Sequence, residues 1–533
     1  MIDVLIIGSG GAGLSAALAS KNKSNTISVI SKTLPTHSQT CQAQGGINAV
    51  LYEGDDSIQN HINDTYEGSK ELSNKDHIKY LCEKAKETIL WLDSMGVPFN
   101  RDNNSNISQR KFGGTSKIRT CYSSDYTGLK ILHTLYDQCI KNNINFINEH
   151  FILELIKVNN KCTGVVALDI LSGEIKTIKA KTVIIASGGY AGIYSKHTTN
   201  SYSNTGDGLM LAYNSGAILS NLEFIQFHPT ALKDKNILIS ESARGEGGYL
   251  VDKNQNRFID ELKTRDEVAR AIFDKINNDE EVYLDLRHLG ESKIKEQLPQ
   301  EYELAKLFLN IELDKELLPI NPTAHYSMGG IKTNLECETN IENLYACGEC
   351  AQSDIHGANR LGGNSLLEII TFGKKAGENA SKKSQNTQDI QNHKSIDYQK
   401  KTNQIIDNIY KNDKKESIYK TKDELGSLLF ENLGLYRNES CIKQLISKIN
   451  KIKNEFFIFG IEDKSKVYNK NLLEYLEFKN IVDLSLLISK SAIERKESRG
   501  SHFRTDYPNE NIDYMKRSMV SNKSDEIYFE EIR

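Results

Sequence analysis

The first residues equipped to do chemistry are glycines. Gly8, Gly10 and Gly13 in "DVLIIGSGGAGLSAALAS" form a GxGxxG pattern between a buried-strand pattern and a small-residue helix pattern. In that context a backbone turn approaches a pyrophosphate, because free N–H groups and the helix dipole favour an anion at the helix N-terminus. After the next strand-like run, "TISVIS", an ordinary NAD site would carry an acid for the ribose, whereas this chain supplies Ser31 and Lys32. Cys347 and Cys350 in "ACGECAQ" form a CxxC. No second pair completes a zinc or cluster site there, so no metal centre is expected.

These residues need a scaffold, and the chain's patterning suggests one. "KTVIIASGGYAGIY" is a later strand ending in a glycine turn, as when a two-part nucleotide domain returns to its cofactor, and "IENLYACGECA" resumes that domain. Between about 220 and 330, "FHPTALKD", "ESARGEGGYL" and "TAHYSMGGI" set polar groups beside glycine turns, which reads as an inserted domain facing the cofactor. From about 386 onward glycine thins, and apolar runs such as "IKQLISKINKI" predict amphipathic helices. "SKKSQNTQDIQNHKS" is expected to be an exposed linker.

Composition narrows the class. A chain of 533 residues calls for two or three domains. With 67 basic and 71 acidic residues it carries no nucleic-acid footprint. No window approaches the roughly 20 apolar residues of a membrane span, and the first strand-like run begins at Ile2, leaving no room for a signal peptide. A cytoplasmic location is expected. The nine cysteines are scattered and odd in number, which argues against a secreted disulfide framework.

"HGANRLGGNSLLEIITFG", with "QFHPTAL", "ESARGEGGYL", "TRDEVARAI" and "PTAHYSMGGI", closely resembles the flavoprotein subunit of succinate dehydrogenase and fumarate reductase. The resemblance runs from residue 2 to about 510 and includes "LLEYLEFKNIVDL" and "ESRGSHFRTDYP". It implies an α/β fold: a Rossmann-like FAD-binding domain in two parts (1–220 and 331–385), an inserted α+β capping domain (221–330) and a C-terminal helical domain (386–533).

The family's reaction passes a hydride between flavin N5 and one alkene carbon while a protein group protonates the other carbon. The resemblance places that acid at Arg265, with Glu241 and Arg244 as its relay to solvent. An arginine is a poor acid by pKa alone, and serves when a carbanion-like carbon accepts the proton and a relay restores it. Arg360 is the first choice for clamping a carboxylate, since a planar guanidinium binds it bidentately. His228, His325 and Ser240, the last where many relatives have threonine, complete the clamp by resemblance, and Phe112 in "QRKFGGTSKIRTCY" is expected to exclude water.

For FAD the resemblance selects Gly8, Gly10, Gly11 and Gly13, then Ser31, Lys32, Ser38, Gln39, Thr40, Gln44, Gly45 and Gly46, then Asp207, Glu349, Ser365 and Leu366. Glu349 can accept a ribose hydroxyl and so stand in for the acid missing at Ser31. An iron-sulfur subunit and a quinone-linked membrane component are the implied partners, which would hold the chain peripherally on the cytoplasmic face of the inner membrane.

The covalent-flavin signature is altered. Relatives with a covalent link read Pro-Thr-Arg-Ser-His-Thr, and this chain reads Pro35, Thr36, His37, Ser38, Gln39, Thr40, with Gln39 at the anchor position. His37 could reach that position only by a two-residue slip on an extended segment, so non-covalent FAD is expected. The alternatives are L-aspartate oxidase, disfavoured by "RLGGNSLL" and the "RTCY" segment, and a flavin-binding scaffold without turnover.

Overall fold

"DVLII" forms the inner part of the strand Ile2–Ile7, whose residues Val4 to Ile7 are buried as expected for a strand covered on both faces. The computed structural model describes residues 1–52, 54–388, 394–413 and 416–532. Ile2–Ile7 pairs in parallel with Ile27–Ile30 on one side and with the second half of Ile175–Ile185 on the other. Asn145–Ile147 and Leu344–Ala346 add further parallel strands. The first half of Ile175–Ile185 instead pairs antiparallel with Lys161–Asp169, which continues to His150–Val158. One long strand thus joins a nucleotide-type sheet to an antiparallel hairpin.

Small residues let two helices approach closely over this sheet. Gly11–Ser20 packs on Asn364–Gln385, where a Cβ on Gly377 would lie 2.2 Å from the Ala16 carbonyl oxygen. Ser20 Oγ donates to the Gly377 carbonyl at 3.0 Å. The helix Asn364–Gln385 therefore sits where the segment "RLGGN" before it faces the glycine turn.

The inserted region is an antiparallel sheet in the order Ile225–Leu232, Leu318–Ser327, Val282–Asp285, Tyr249–Asp252, backed by the helices Arg265–Asn277, Glu291–Gln297 and Pro299–Leu309. Its own apolar cluster includes Leu250, Val268, Ile272, Leu284 and Leu318. The first two strands are neighbours with His228 opposite Thr323, and their register is broken between His228 and Ala231, at Pro229, which has no N–H to donate.

The C-terminal region is built on the helices Lys394–Lys411, Ile418–Leu433, Glu439–Asn454 and Lys470–Glu494. "IKQLISKINKI" lies in the third and buries Ile442, Leu445 and Ile449, the 3–4 spacing of one helix face. Two expectations change. The start of the expected linker is helical, since Asn364–Gln385 continues through "SKKSQ", and residues 389–393 of it lie outside the described residues. The region also ends in strands: Lys516–Val520 pairs with Leu219–Ser220 and with Tyr528–Glu531, in a sheet that includes Gly330–Lys332 and Ala351–Gln352. Such short strands gain their hydrogen bonds from distant partners, which helical periodicity does not reveal.

The start of "ESRGSHFRTDYP" joins Arg495 and Glu223 in a buried charged brace. Arg495 Nε donates to Glu223 Oε1 at 2.6 Å and its Nη1 to Glu497 Oε1 at 3.0 Å, while Arg499 Nη2 donates to Glu497 Oε2 at 3.0 Å. Glu223 precedes the strand that carries His228, so this brace fixes that strand from behind.

Candidate active site

Gly8 turns the chain out of the first strand with φ +114°, and a Cβ there would lie 2.1 Å from the Ala186 carbonyl oxygen. Gly10 precedes the helix Gly11–Ser20 without any side-chain cap, leaving the helix N-terminus open to a ligand. The Gly11 N–H donates to Thr40 Oγ1 at 3.0 Å, tying this turn to the "SQTCQAQGG" segment.

One cavity runs from these glycines to the inserted sheet. It is lined by Gly8, Gly10, Gly11, Ser31, Lys32, Ser38, Gln39, Thr40, Gln44, Gly45, Gly46, Asp207, Glu349, Ser365 and Leu366 at one end, and by Phe112, His228, Ser240, Glu241, Arg265, His325 and Arg360 at the other. Gly13 and Arg244 are not part of its wall. Gly13 instead packs on the Gly8 carbonyl, and Arg244 is buried behind Glu241.

The helix Arg265–Asn277 begins at Arg265, so the guanidinium projects from its first turn toward the short helix Glu241–Gly245. Arg265 Nε and Nη2 both donate to Glu241 Oε2, at 2.8 and 2.6 Å, and Nη1 donates to Gln226 Oε1 at 3.1 Å. Arg244 Nη2 stands 3.9 Å from Glu241 Oε1, and its Nε and Nη2 have no hydrogen-bond partner. Burial acts to raise the Glu241 pKa, but the charges of Arg265 and Arg244 outweigh it and hold the carboxyl below its usual range.

His228 and His325 face each other from neighbouring strands with ring centroids 5.0 Å apart. His325 Nδ1 lies 2.8 Å from Thr199 Oγ1, and His228 Nδ1 lies 3.1 Å from the Thr230 carbonyl oxygen. Burial first, and then the Arg265 charge, push both well below 6.5, so both are neutral at pH 7. Arg360 lies over the Tyr326 ring at 4.2 Å, and its Nε is buried without a partner. Burial, with Arg265 nearby, pushes its pKa down to about 9. An incoming carboxylate would relieve all of these strained groups at once.

Ser240 serves partly as a helix cap: its Oγ accepts from the Ser242 N–H at 3.1 Å. Phe112 is buried, and a Cβ on Gly45 would lie 2.7 Å from its Cζ, so the ring roofs this glycine turn. Lys32 is paired rather than free, donating to Asp207 Oδ2 at 2.6 Å and to Glu477 Oε1 at 2.7 Å. Ser31 Oγ donates to the Thr33 carbonyl at 2.6 Å. Glu349 Oε1 accepts from the Ser327 N–H at 3.0 Å, and burial raises this carboxyl to about 7.

The anchor segment is not one extended run. Pro35–His37 and Gln39–Gln42 are two short 3-10 turns that meet at Ser38, whose own backbone is extended at φ −72° and ψ 153°, and both His37 and Gln39 line the cavity. Gln39 Oε1 accepts from the Ser201 N–H at 2.9 Å. The CxxC sulfurs are buried and unbonded to each other, with Cys350 Sγ donating to the Ile185 carbonyl at 3.3 Å, and burial raises its thiol to about 12. Among the described residues no group of three or more potential ligands could hold a metal ion.

An FAD-binding domain model matches residues 3–366, and a model described as the fumarate reductase flavoprotein C-terminus matches residues 422–533. The 8-methylmenaquinol:fumarate reductase flavoprotein subunit of Wolinella succinogenes is 39% identical, over 97% of this chain and 88% of its own. The succinate dehydrogenase flavoprotein subunit of Rickettsia bellii is 37% identical, over 96% of this chain and 91% of its own. The chain belongs to the succinate dehydrogenase and fumarate reductase flavoprotein family. A mutated Escherichia coli quinol fumarate reductase chain superposes on this flavoprotein with a TM-score of 0.95 at 34% identity, covering 100% of this chain and 96% of that one.

The residues present fit FAD. Ser38 Oγ, Gln44 Oε1 and Ser187 Oγ are buried, line the cavity and have no hydrogen-bond partner, as groups awaiting a polar ligand would. Apart from the Gly11 N–H, which Thr40 Oγ1 accepts, the N–H groups at this helix N-terminus remain available for its pyrophosphate.

Three contributors escaped the sequence reading. Gln226 accepts from Arg265 and donates from Nε2 to the Arg360 carbonyl at 2.8 Å, linking the two arginines. Tyr326 lies beneath Arg360, and Thr199 orients His325. Gln226 and Tyr326 stand inside the motifs "QFHPTAL" and "PTAHYSMGGI", adjacent to residues that were singled out, whereas Thr199 comes from a distant loop with no local signal.

Proposed function

We propose that this flavoprotein is the catalytic subunit of a succinate dehydrogenase or quinol:fumarate reductase complex and interconverts succinate and fumarate. The observation that carries this reading is the single cavity joining the dinucleotide turn to Arg265, Glu241, His228, His325 and Arg360. Bound FAD supplies the two-electron, hydride-level chemistry. The chain's own part is to hold the dicarboxylate and move one proton.

Arg360, His228 and His325 hold the carboxylates, with Ser240 beside them, and Phe112 excludes water, which strengthens each fixed charge. Arg265 gives a proton to the alkene carbon that does not receive the hydride. Glu241, ionised at rest and accepting from two Arg265 nitrogens, takes up a proton from Arg244 behind it and passes it to the neutral guanidine, and Arg244 is reprotonated from solvent. Substituting Arg265 and assaying fumarate reduction tests the scheme: unchanged turnover would overturn it.

The same reading takes FAD to be held non-covalently, because Gln39 offers no nucleophilic ring nitrogen. Acid precipitation should leave the flavin in the supernatant, and flavin in the pellet would contradict it. Without a bond to an electron-poor ring position the flavin potential is lowered, which favours fumarate reduction and is measurable by redox potentiometry. An iron-sulfur subunit and a quinone-linked membrane component complete the proposed assembly, and the relatives named above include one 8-methylmenaquinol:fumarate reductase. No helix among the described residues is long and apolar enough to cross a membrane, so the proposed attachment, at the cytoplasmic face of the inner membrane, is peripheral and through those partners. Co-purification with a cluster-bearing subunit tests this.

A further inference from the structure

The inserted region meets the FAD-binding region at a second polar contact, away from the dicarboxylate groups. Asp125, in the segment just before the helix Thr127–Lys141, accepts with Oδ2 from the N–H groups of Gln300, at 2.7 Å, and Glu301, at 3.1 Å. One region thus caps the N-terminus of a helix, Pro299–Leu309, that belongs to the other. Glu301 turns its side chain back to the same place. It is fully buried, its own N–H is held by Asp125 Oδ2, its carboxyl lies beside that of Asp125, and neither Glu301 carboxyl oxygen has a donor. Asp125 Oδ1 has no donor either.

Two buried carboxyl groups in contact, with no donor between them, cannot both be ionised. We propose that Glu301 and Asp125 share one proton, and that this proton latches the capping region onto the FAD-binding region over the cavity. Glu301 O–H donates to the Asp125 carboxylate, so a single proton completes both the pair and the helix cap. The latch positions the site through Arg110: its guanidinium donates to the Gly45 carbonyl, and to the Ser124 carbonyl at 2.9 Å, while Gly45 carries the Phe112 ring.

The surroundings set the direction of the response. Burial, and then contact with Asp125, hold the Glu301 carboxyl well above the usual range, and Arg110 opposes this. Arg110 also faces Glu246 and Tyr122, Tyr122 faces Glu246 and Glu296, and Tyr126 faces Glu303 as well as the pair. Lys293 is spent on Glu246 at 3.4 Å. Loss of the shared proton therefore adds charge to a set already dominated by acids. The docked state binds one more proton than the undocked state once pH exceeds the ordinary glutamate value of about 4.3. Docking is thus strongest below that value and weakens as pH rises toward the raised value of the docked pair.

The latch follows from packing and does not depend on the succinate and fumarate reading. Hydrogen exchange of the full-length chain, isolated with its flavin, tests it at amides 299–309 from about the ordinary glutamate value of 4.3 upward through neutral pH, after correction for intrinsic base-catalysed exchange. Opening of this segment should increase with pH by up to about tenfold per unit in the wild type, the limit for one proton. Glu301→Gln keeps an N–H donor to Asp125 that does not titrate, and should make opening independent of pH, whereas Glu301→Ala should open the segment at every pH. Wild-type opening that does not change with pH, or a Glu301→Gln protein that follows the wild-type rise, would overturn the proposal.

Discussion

Arg265 directs two nitrogens at one oxygen of Glu241, Oε2, and leaves Oε1 to Arg244 at 3.9 Å. The two arginines thus divide one carboxylate, in the order that a proton would travel. Arg265 also lines the cavity and makes a third contact, to Gln226, that joins it to the backbone of Arg360. The residues proposed to hold the substrate and to move the proton are therefore joined by hydrogen bonds.

Replacing Arg265 by lysine keeps a positive charge but cannot bond Glu241 and Gln226 at once. Fumarate reduction should fall by about 10²–10⁴-fold in kcat, the usual range for a lost general acid. Flavin content, read from absorbance, should stay at the wild-type level because Arg265 lies at the far end of the cavity from the glycine turn. Loss of flavin together with activity would point to a structural role instead.

Glu241→Gln removes the charge that balances three neighbouring arginines. Breaking a buried pair costs about 3–5 kcal/mol, so the thermal midpoint should drop. The pH dependence has a definite sign. The Glu241 carboxyl is held below its ordinary value, so its contribution is present above about 4.3 and is lost as pH falls through the folded value. The gap in midpoint between wild type and variant should be widest near neutral pH and narrow in acid.

His228 and His325 are neutral at pH 7 and face where a dianion would sit. Dianion binding raises their pKa values, so binding takes up protons and tightens as pH falls. The KM for fumarate should decrease from about pH 8 to about pH 6, by no more than about tenfold per unit for each proton taken up. His325→Gln should flatten that slope, whereas the Thr199→Val protein, which keeps the ring but loses its hydrogen bond, should retain a weaker one. Steady-state KM across pH reads both.

The sequence made the nucleotide turn legible because Gly8, Gly10 and Gly13 obey a local rule that requires no distant partner. Periodicity likewise exposed the helix that buries Ile442, Leu445 and Ile449. That His228, Arg265 and Arg360 converge at one end of the cavity was expected only through motif resemblance, since they come from three separate segments and no spacing rule connects them. The terminal strand Lys516–Val520 was missed because it is defined by pairing with Leu219–Ser220, almost 300 residues away in the chain. The 3-10 turns at Pro35–His37 and Gln39–Gln42 were missed for a different reason: "LPTHSQT" follows a strand and contains no glycine, so its tight turns are set by contacts such as Thr40 with Gly11.

Lys32 offers a prediction that separates holding the fold from holding the flavin. It was expected to contact the cofactor, and it lines the cavity, yet its ammonium lies between Asp207 and Glu477, the latter on the long helix Lys470–Glu494. Lys32→Met leaves two carboxylates facing each other across a largely buried gap. The cost should fall toward the low end of about 3–5 kcal/mol, because the lysine retains some exposure. Protonation relieves the facing carboxylates, so the loss of thermal midpoint should be greatest at high pH and shrink as pH drops into the carboxylate range. If the lysine serves mainly as a brace, excess FAD should raise the wild-type and variant midpoints by similar amounts in a thermal-shift titration. A variant that responds much less to FAD would show instead that the ammonium also contributes directly to flavin affinity.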